Sequence, residues 1–453
     1  MTPTTYKAYT LANIDKIPEL AHISESTLFD MRVVANILPF RVNNYVIEEL
    51  IDWDNVLDDP IFKMTFPQRD MLRDEDFARV KESLDKGFSK EKHNAILADI
   101  HHSLNPHPSG QLEMNVPTLE LERLHGLQHK YRETVLFFPS QGQVCHAYCT
   151  FCFRWAQFIG NKDLRFASHD VEQLQDYLRT HQEATDLLIT GGDPFVMKTR
   201  QLQVYLDGLL TEGLDHVENI RIGTKAFSFW PHRFVNDTDS DDLLRLLERM
   251  VKAGKHVSIM AHLNHWRELE TDTVREAIRR IRDTGALIRS QGPLLAHVND
   301  DASTWMRLWR TQIQLGIIPY YMFVERDTGA QHYFKVPLLK AWEIYQIAIQ
   351  QLSGIGRTVR GPSMSANPGK VEVQGVAEIA GEKVFVLRFL QARNPDWVHR
   401  PFFAQFDEDA VWLDDLKPAF GRDKFFYEEL GIENLRPATA IPTVSSEHSL
   451  LLV

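Results

Sequence analysis

All three cysteines of this 453-residue chain fall within one short stretch, Cys145-His146-Ala147-Tyr148-Cys149-Thr150-Phe151-Cys152. The spacing is C-x3-C-x2-C. Three thiolates on one loop can hold three irons of a [4Fe–4S] cube, which leaves the fourth iron without a protein ligand. An electron-carrying cluster ordinarily takes a fourth cysteine, and this chain has none to give. An open iron can instead bind the amino and carboxyl groups of S-adenosylmethionine. Reductive cleavage of that sulfonium yields a radical that removes hydrogen from a substrate. Two other readings compete. A structural zinc would need a fourth ligand, for which His146 is the nearest candidate but sits too close to Cys145 for a good tetrahedron. Disulfides suit neither the odd count nor the tight spacing.

The rest of the composition narrows the setting. A formal net charge of −12 makes nucleic-acid backbone binding a poor main task. No apolar run approaches a membrane span, and the first residues lack the apolar core of a signal peptide. Free thiols without an export signal lead us to expect a reducing cytoplasm.

Residues 1–130 read as a helical N-terminal region. Ser24 caps an apolar run, 43–51 is amphipathic, and 70–93 is charged and helix-prone. The segment His101 to Gly110 reads as a linker by its Pro, Gly and Ser content. Its histidines hint at a metal, but a solvated loop explains them as well. From Tyr131 the pattern alternates between short apolar runs and helical stretches. The runs begin at Val135, Asp186, Asn219, His256, Ala286 and Ile318. Such alternation indicates a parallel sheet, and six units predict a partial (β/α)6 barrel over 131–338. The chemistry of such folds gathers at the C-terminal strand ends, where the cysteine loop falls. Residues 339–453 form a C-terminal region: a helix, a small-residue loop from Gly361 to Lys370, two strands joined by a turn, and a Pro-rich tail.

Thr190-Gly191-Gly192-Asp193-Pro194 follows the second predicted strand. Glycines there allow a close backbone approach to a ligand, although Gly-Gly-Asp-Pro is turn chemistry in its own right.

In order along the chain, these landmarks resemble the lysine 2,3-aminomutase family of radical S-adenosylmethionine enzymes. They are His129 to Leu136, Cys145 to Arg154, Gly191-Gly192-Asp193-Pro194, Arg221-Ile222-Gly223, His262-Leu263-Asn264-His265, Ser290-Gln291 with Val298-Asn299-Asp300, Pro319-Tyr320-Tyr321 and Lys370. The resemblance implies three cofactors: the [4Fe–4S] cluster, S-adenosylmethionine and pyridoxal 5′-phosphate. It implies that Cys145, Cys149 and Cys152 bind iron, and that Gly191, Gly192, Asp193 and Gln291 lie near S-adenosylmethionine. Lys370 would form the Schiff base with pyridoxal phosphate, with Lys130 and Tyr131 beside that cofactor. Arg154 would grip the substrate α-carboxylate.

The sequence departs from the family pattern in four places. Thr134 replaces an arginine. Ala366-Asn367-Pro368-Gly369 replaces an all-glycine run before Lys370. The zinc-binding cysteines near the C-terminus are missing. Where lysine-specific members carry two aspartates against the distal ammonium, this chain has Arg326 and Ser363. A cation there repels an ammonium and attracts a carboxylate, so the expected substrate is an acidic amino acid, glutamate ahead of aspartate. Glu325 and Asp327 flank Arg326, and a one-residue slip would reverse the sign. The alternatives are a lysine 2,3-aminomutase and a non-catalytic iron–sulfur protein. The expected partners are the amino acid substrate, a reductase or a flavodoxin or ferredoxin electron donor, and further copies of the chain in a homo-oligomer.

Overall fold

Along each of the outer helices the apolar residues recur every three or four positions, and this pattern lays them against a sheet. In the computed structural model, which describes residues 4–160 and 164–429, the sheet has eleven strands in consecutive order. They are β1 Leu127–Tyr131, β2 Thr134–Phe137, β3 Asp186–Ile189, β4 Asn219–Thr224, β5 His256–His262, β6 Leu287–Leu294, β7 Ile318–Val324, β8 Arg360–Ser365, β9 Gly369–Ile379, β10 Glu382–Ala392 and β11 Pro401–Gln405. Strands β2 to β8 run parallel. β1 at one edge and β9 to β11 at the other are antiparallel.

Helices α1 Val171–Thr180, α2 Thr199–Gly208, α3 Ser240–Lys252, α4 Asp272–Asp283, α5 Ala302–Leu315 and α6 Leu338–Gln350 make the crossovers. α3 buries Leu243, Leu246, Leu247 and Met250, and α4 buries Val274, Ala277, Ile278 and Ile281. Each set is a stripe at helical period facing the sheet. Asp170, Thr271 and Asp301 cap α1, α4 and α5 by accepting from Gln173, Val274 and Thr304 backbone N–H groups. β5 is buried from Val257 to Ala261 without alternation, as a strand covered on both faces must be.

All six anticipated strands are present, in the anticipated order and parallel. The stretch anticipated as a small-residue loop is different. Arg360–Ser365 is a seventh parallel strand, held beside β7 with Phe323 opposite Ser363. Lys370 is the second residue of β9, paired with Ser365 and Gln391, and only Ala366-Asn367-Pro368 turns. The short side chains reflect crowding: a Cβ on Gly369 would lie 2.4 Å from the Gln391 carbonyl oxygen. The anticipated hairpin is β9–β10, and it extends the same sheet.

In the N-terminal region, Ser24 caps a helix over Glu25–Ala35 by accepting from Thr27 N. The charged stretch from Asp70 divides into Asp74–Asp85 and Lys90–Ser103. The amphipathic stretch from Asn43 supplies one helical turn, Val46–Leu50. The apolar core of this region includes Ala147 and Phe151 of the cysteine loop, together with Phe229, Trp230, Leu295 and Phe334. It therefore packs on the loops at the C-terminal strand ends. No helix among the described residues is long and apolar enough to cross a membrane. Residues 430–453 of the Pro-rich tail lie outside the described residues.

Candidate active site

The cysteine loop leaves β2 and is held from two sides. From the N-terminal region, Arg41 and Met64 carbonyls accept from Tyr148 N (2.8 Å) and Thr150 N (2.9 Å). Tyr6 Oη (2.7 Å) and Asn43 Nδ2 (3.2 Å) donate to the His146 carbonyl. From the sheet side, Gly192 N donates to Gly142 O (3.0 Å) and Asp193 N to Val144 O (2.9 Å). A Cβ on Gly192 would meet Val144 N at 2.5 Å, and one on Gly191 (φ +148°) would meet Gln143 Nε2 at 2.2 Å. The close approach these glycines permit is to the backbone just before Cys145.

Asp193 is buried, and its carboxylate accepts from Thr224 Oγ1 (2.8 Å), Lys225 N (2.9 Å) and Phe195 N (3.0 Å). Burial pushes its pKa up to about 6 against those bonds. It joins three strand-end loops through protein partners.

The three thiols are half-buried, and Cys145 feels both Cys152 and Cys149 electrostatically. Burial raises all three thiol pKa values, to about 11 at Cys152. Among the described residues no three His, Cys, Asp or Glu side chains converge as a single metal ion would require. A four-iron cube is a larger body, held at separate corners. His146 is buried with its Nδ1 unpartnered, and burial drives its pKa down to about 3. A neutral imidazole there adds no charge beside the cluster loop.

Under Cys149 lies a buried ion pair. Lys225 Nζ donates to Glu268 Oε2 (2.6 Å) and Asn264 Oδ1 (3.0 Å). Glu268 Oε1 in turn accepts from Asn264 N (2.6 Å) and His265 N (2.7 Å). Asn299 Nδ2 donates to Asn264 O at 2.9 Å. The His262 to His265 and Val298 to Asp300 landmarks thus build scaffold beneath the loop. Lys225 was not singled out from sequence, because a lysine one residue past a strand carries no signal by itself.

Lys370 Nζ sits 3.9 Å above the Tyr321 ring and accepts a partner in Gln391, to whose Oε1 it donates at 3.1 Å. Burial, then the neighbouring Arg221 and Arg360 charges, hold its pKa well below the usual lysine value. A lowered pKa brings the unprotonated, nucleophilic amine within easier reach. Lys130 is lowered likewise, by burial and by Arg393, Arg326 and Lys370. Its Nζ donates to the Ala366 carbonyl, which ties β1 to the turn before Lys370. Tyr131 lies beside it, near Arg393 and Arg326.

Arg154 is buried over the Phe138 ring (4.0 Å), with Nε and Nη2 lacking partners. It is near Cys152, Cys145 and Arg326, and burial lowers its pKa to about 10. Arg326 follows β7 and donates from Nη2 to Ser109 Oγ (3.0 Å), while its Nε is buried without a partner. The flanking carboxylates act on Arg326 electrostatically without pairing with it. Glu325 is felt by Cys149 and Cys152, and Asp327 Oδ2 accepts from Asn105 Nδ2 (3.1 Å). Ser363 is fully buried and donates to Met322 O (3.3 Å), so it presents no charge to the site. Gln291 is half-buried in β6, in register with His262 and Tyr321. Thr134 Oγ1 donates to Asp186 (3.0 Å), which also pairs with Arg221.

The segment anticipated as a linker is instead a strap over this site. His101–Ser103 end a helix. Leu104 O accepts from Gly329 N (2.9 Å), Asn105 Nδ2 donates to Asp327 O (2.7 Å), and Ser109 Oγ donates to Ser365 O (3.2 Å). Asn105 and Ser109 have φ of +51° and +58°, a bend that brings the chain back across the strand ends.

The donor set fits the expected cofactors. Guanidinium groups with buried, unpartnered N–H atoms (Arg154, Arg326 and Arg393) gather near Lys130, Lys370 and the Tyr321 ring, as a phosphorylated pyridine and a carboxylate substrate would require.

No protein-family model matches the chain. A protein of Aquifex aeolicus (strain VF5) named "Putative L-lysine 2,3-aminomutase" is 30% identical over 399 residues, covering 87% of this chain and 92% of that one. L-lysine 2,3-aminomutase of Escherichia coli (strain K12) is 29% identical over 46% of this chain and 57% of its own length. That of Clostridium subterminale is 29% identical over 52% and 55%. The chain thus spans only a little over half the length of these last two. Among solved structures, Streptococcus suis SuiB bound to S-adenosylmethionine gives a TM-score of 0.34 at 13% identity, covering 59% of this chain and 57% of that one. A radical SAM methyltransferase from Sphaerobacter thermophilus gives 0.36 at 17% identity, covering 52% and 68%.

Proposed function

This chain belongs to the lysine 2,3-aminomutase family of radical S-adenosylmethionine enzymes, and from that premise we propose that it is a 2,3-aminomutase for an acidic amino acid, glutamate ahead of aspartate. The family uses a [4Fe–4S] cluster, S-adenosylmethionine and pyridoxal phosphate. In this reading Cys145, Cys149 and Cys152 hold the cluster, and the six central strands with their helices form the partial (β/α)6 barrel around it. Gln291 and the Gly191-Gly192 loop border the S-adenosylmethionine site. Lys370, Lys130 and Tyr131 border the pyridoxal phosphate site.

Bound there, the cofactors supply hydrogen abstraction and a carbonyl that carries the migrating nitrogen from the α- to the β-carbon. The chain supplies placement. Lys370 offers an amine of lowered pKa that can give way to the substrate's own amine. Arg154 holds the α-carboxylate through two parallel N–H bonds. Arg326 takes the distal carboxylate, and Ser363 leaves that end without a competing anion. The strap at 104–109 excludes water, which strengthens every charge contact beneath it.

The observation that carries the acidic-substrate reading is Arg326. Its Nε is buried and unpartnered, and although Asp327 and Glu325 act on it electrostatically, neither forms an ion pair with it, while Arg154 and Lys130 stand nearby. The lysine reading is favoured by the names of the relatives. Supplying the reduced, cofactor-loaded enzyme with each of the twenty amino acids in deuterated form and following deuterium into 5′-deoxyadenosine separates them. Glutamate is expected to give the fastest label transfer, and lysine ahead of glutamate refutes the reading. We place the enzyme in the reducing cytoplasm as a homo-oligomer, served by a reductase or a flavodoxin or ferredoxin, consistent with its free thiols.

A further inference from the structure

The turn Ala366-Asn367-Pro368, which leads into Lys370, is clamped by two basic residues, one on β1 and one just past β10. Lys130 on β1 donates to Ala366 O. Arg393, one residue past β10, donates from Nε to Asn367 O (2.8 Å) and from Nη2 to Asn367 Oδ1 (3.1 Å) and Asn115 Oδ1 (2.5 Å). Its own backbone N–H reaches Pro368 O at 3.0 Å.

Arg393 is only 1% exposed, yet its Nη1 is buried with no partner. An unpaired guanidinium nitrogen at such depth is costly unless something supplies an acceptor. No carboxylate accompanies it: every hydrogen bond made by its side chain ends on an amide or a carbonyl oxygen. The groups that act on Lys130 electrostatically are Arg393, Arg326 and Lys370, all basic residues. A buried seat lined by basic groups, with a guanidinium N–H left over, suits an anionic ligand. Thr134 cannot serve it, being committed to Asp186.

Resting on the aminomutase reading, we propose that Arg393, from the C-terminal hairpin, binds the phosphate of pyridoxal phosphate together with Lys130. The hairpin then has a task in the site. It closes the phosphate seat from the end of β10, and it couples cofactor binding to the turn that aims Lys370.

The test compares pyridoxal 5′-phosphate with pyridoxal, which lacks only the phosphate, on the full-length cofactor-free protein. Binding is followed by the absorbance of the bound aldehyde. Wild type is expected to prefer the phosphorylated form strongly. Arg393→Gln is expected to lower that preference at least tenfold, because loss of the turn contacts weakens both aldehydes alike and cancels in the ratio. Inorganic phosphate should raise the Tm of wild type and not that of the variant.

A preference unchanged in Arg393→Gln, or a parallel loss for both aldehydes, overturns the assignment, since the second is what a purely structural arginine gives. Where Arg393→Gln does not fold, Arg393→Lys is read by the same ratio. The single ammonium should still lower it several-fold, and an undiminished ratio overturns the proposal. Wild-type protein that binds neither aldehyde overturns the aminomutase reading itself, and this assignment with it. Binding with an unaltered ratio defeats the Arg393 assignment alone.

Discussion

Replacing Arg326 by Asp should exchange the preferred substrate. A charge held ~4 Å from the substrate's distal group contributes about 1 kcal/mol in a water-like medium and about 4 kcal/mol at an effective dielectric near 20. Arg326 is half-buried under the strap, so the value lies between these limits. Reversing the charge counts the interaction twice, once as attraction lost and once as repulsion gained. For glutamate the loss is therefore about 2 to 8 kcal/mol, and even the lower figure is more than one decade in kcat/KM at about 1.4 kcal/mol per decade. Lysine should gain over the same range. Glu325 and Asp327 remain in place, so the new Asp is partly protonated by its like-charged neighbours. Arg326→Gln removes the attraction without that complication and should cost glutamate roughly half as much in free energy. The assay is competition between glutamate and lysine for one pool of reduced enzyme, with both β-amino acid products quantified. A product ratio unmoved by Arg326→Asp would refute the argument, because no charge at the substrate's far end could then be Arg326.

Lys370→Ala should abolish the absorbance of bound pyridoxal phosphate while iron content stays at the wild-type level, and a normal spectrum in the variant would remove Lys370 from the site. Lys225 and Glu268 form a buried pair, 8% and 0% exposed at the side chain. Lys225→Met alone should therefore cost about 3–5 kcal/mol in urea unfolding, and the double variant with Glu268→Gln less than the sum. Strict additivity would count against the pair. Burial holds His265 at a pKa of about 4 against an ordinary 6.5. The folded state thus favours the neutral ring, so its contribution is complete above pH 6.5 and is lost as pH falls toward 4. That contribution is on the order of 3 kcal/mol. The urea midpoint measured between pH 7 and pH 4 should fall less steeply in His265→Gln than in wild type, and equal slopes would contradict this.

Much of the architecture could be read from local pattern. Apolar runs of strand length alternating with helical stripes located all six central strands. The cysteine loop was expected after the first of them and is found there, because period and spacing are properties of neighbouring residues. The stretch from Gly361 to Lys370 misled for the same reason. Small residues signal a loop locally, but here they permit a strand to sit tightly between two others, with Gly369 pressed on the Gln391 carbonyl. His101 to Gly110 misled likewise. Its Pro, Gly and Ser content describes how the chain bends and says nothing of what it bends over.

What the sequence by itself determined is the kind of chemistry, since three thiolates on one loop and one lysine after a turn are chemical facts before any folding. What only tertiary structure decided is which charges share a dry enclosure. Lys130 meets the turn at Ala366 across 236 positions of chain, and Arg393 meets Asn115 across 278. No local pattern encodes such meetings. They follow from the way β1, the turn before β9 and the end of β10 are brought around one buried site, where low dielectric makes an unpaired guanidinium N–H call for an anion.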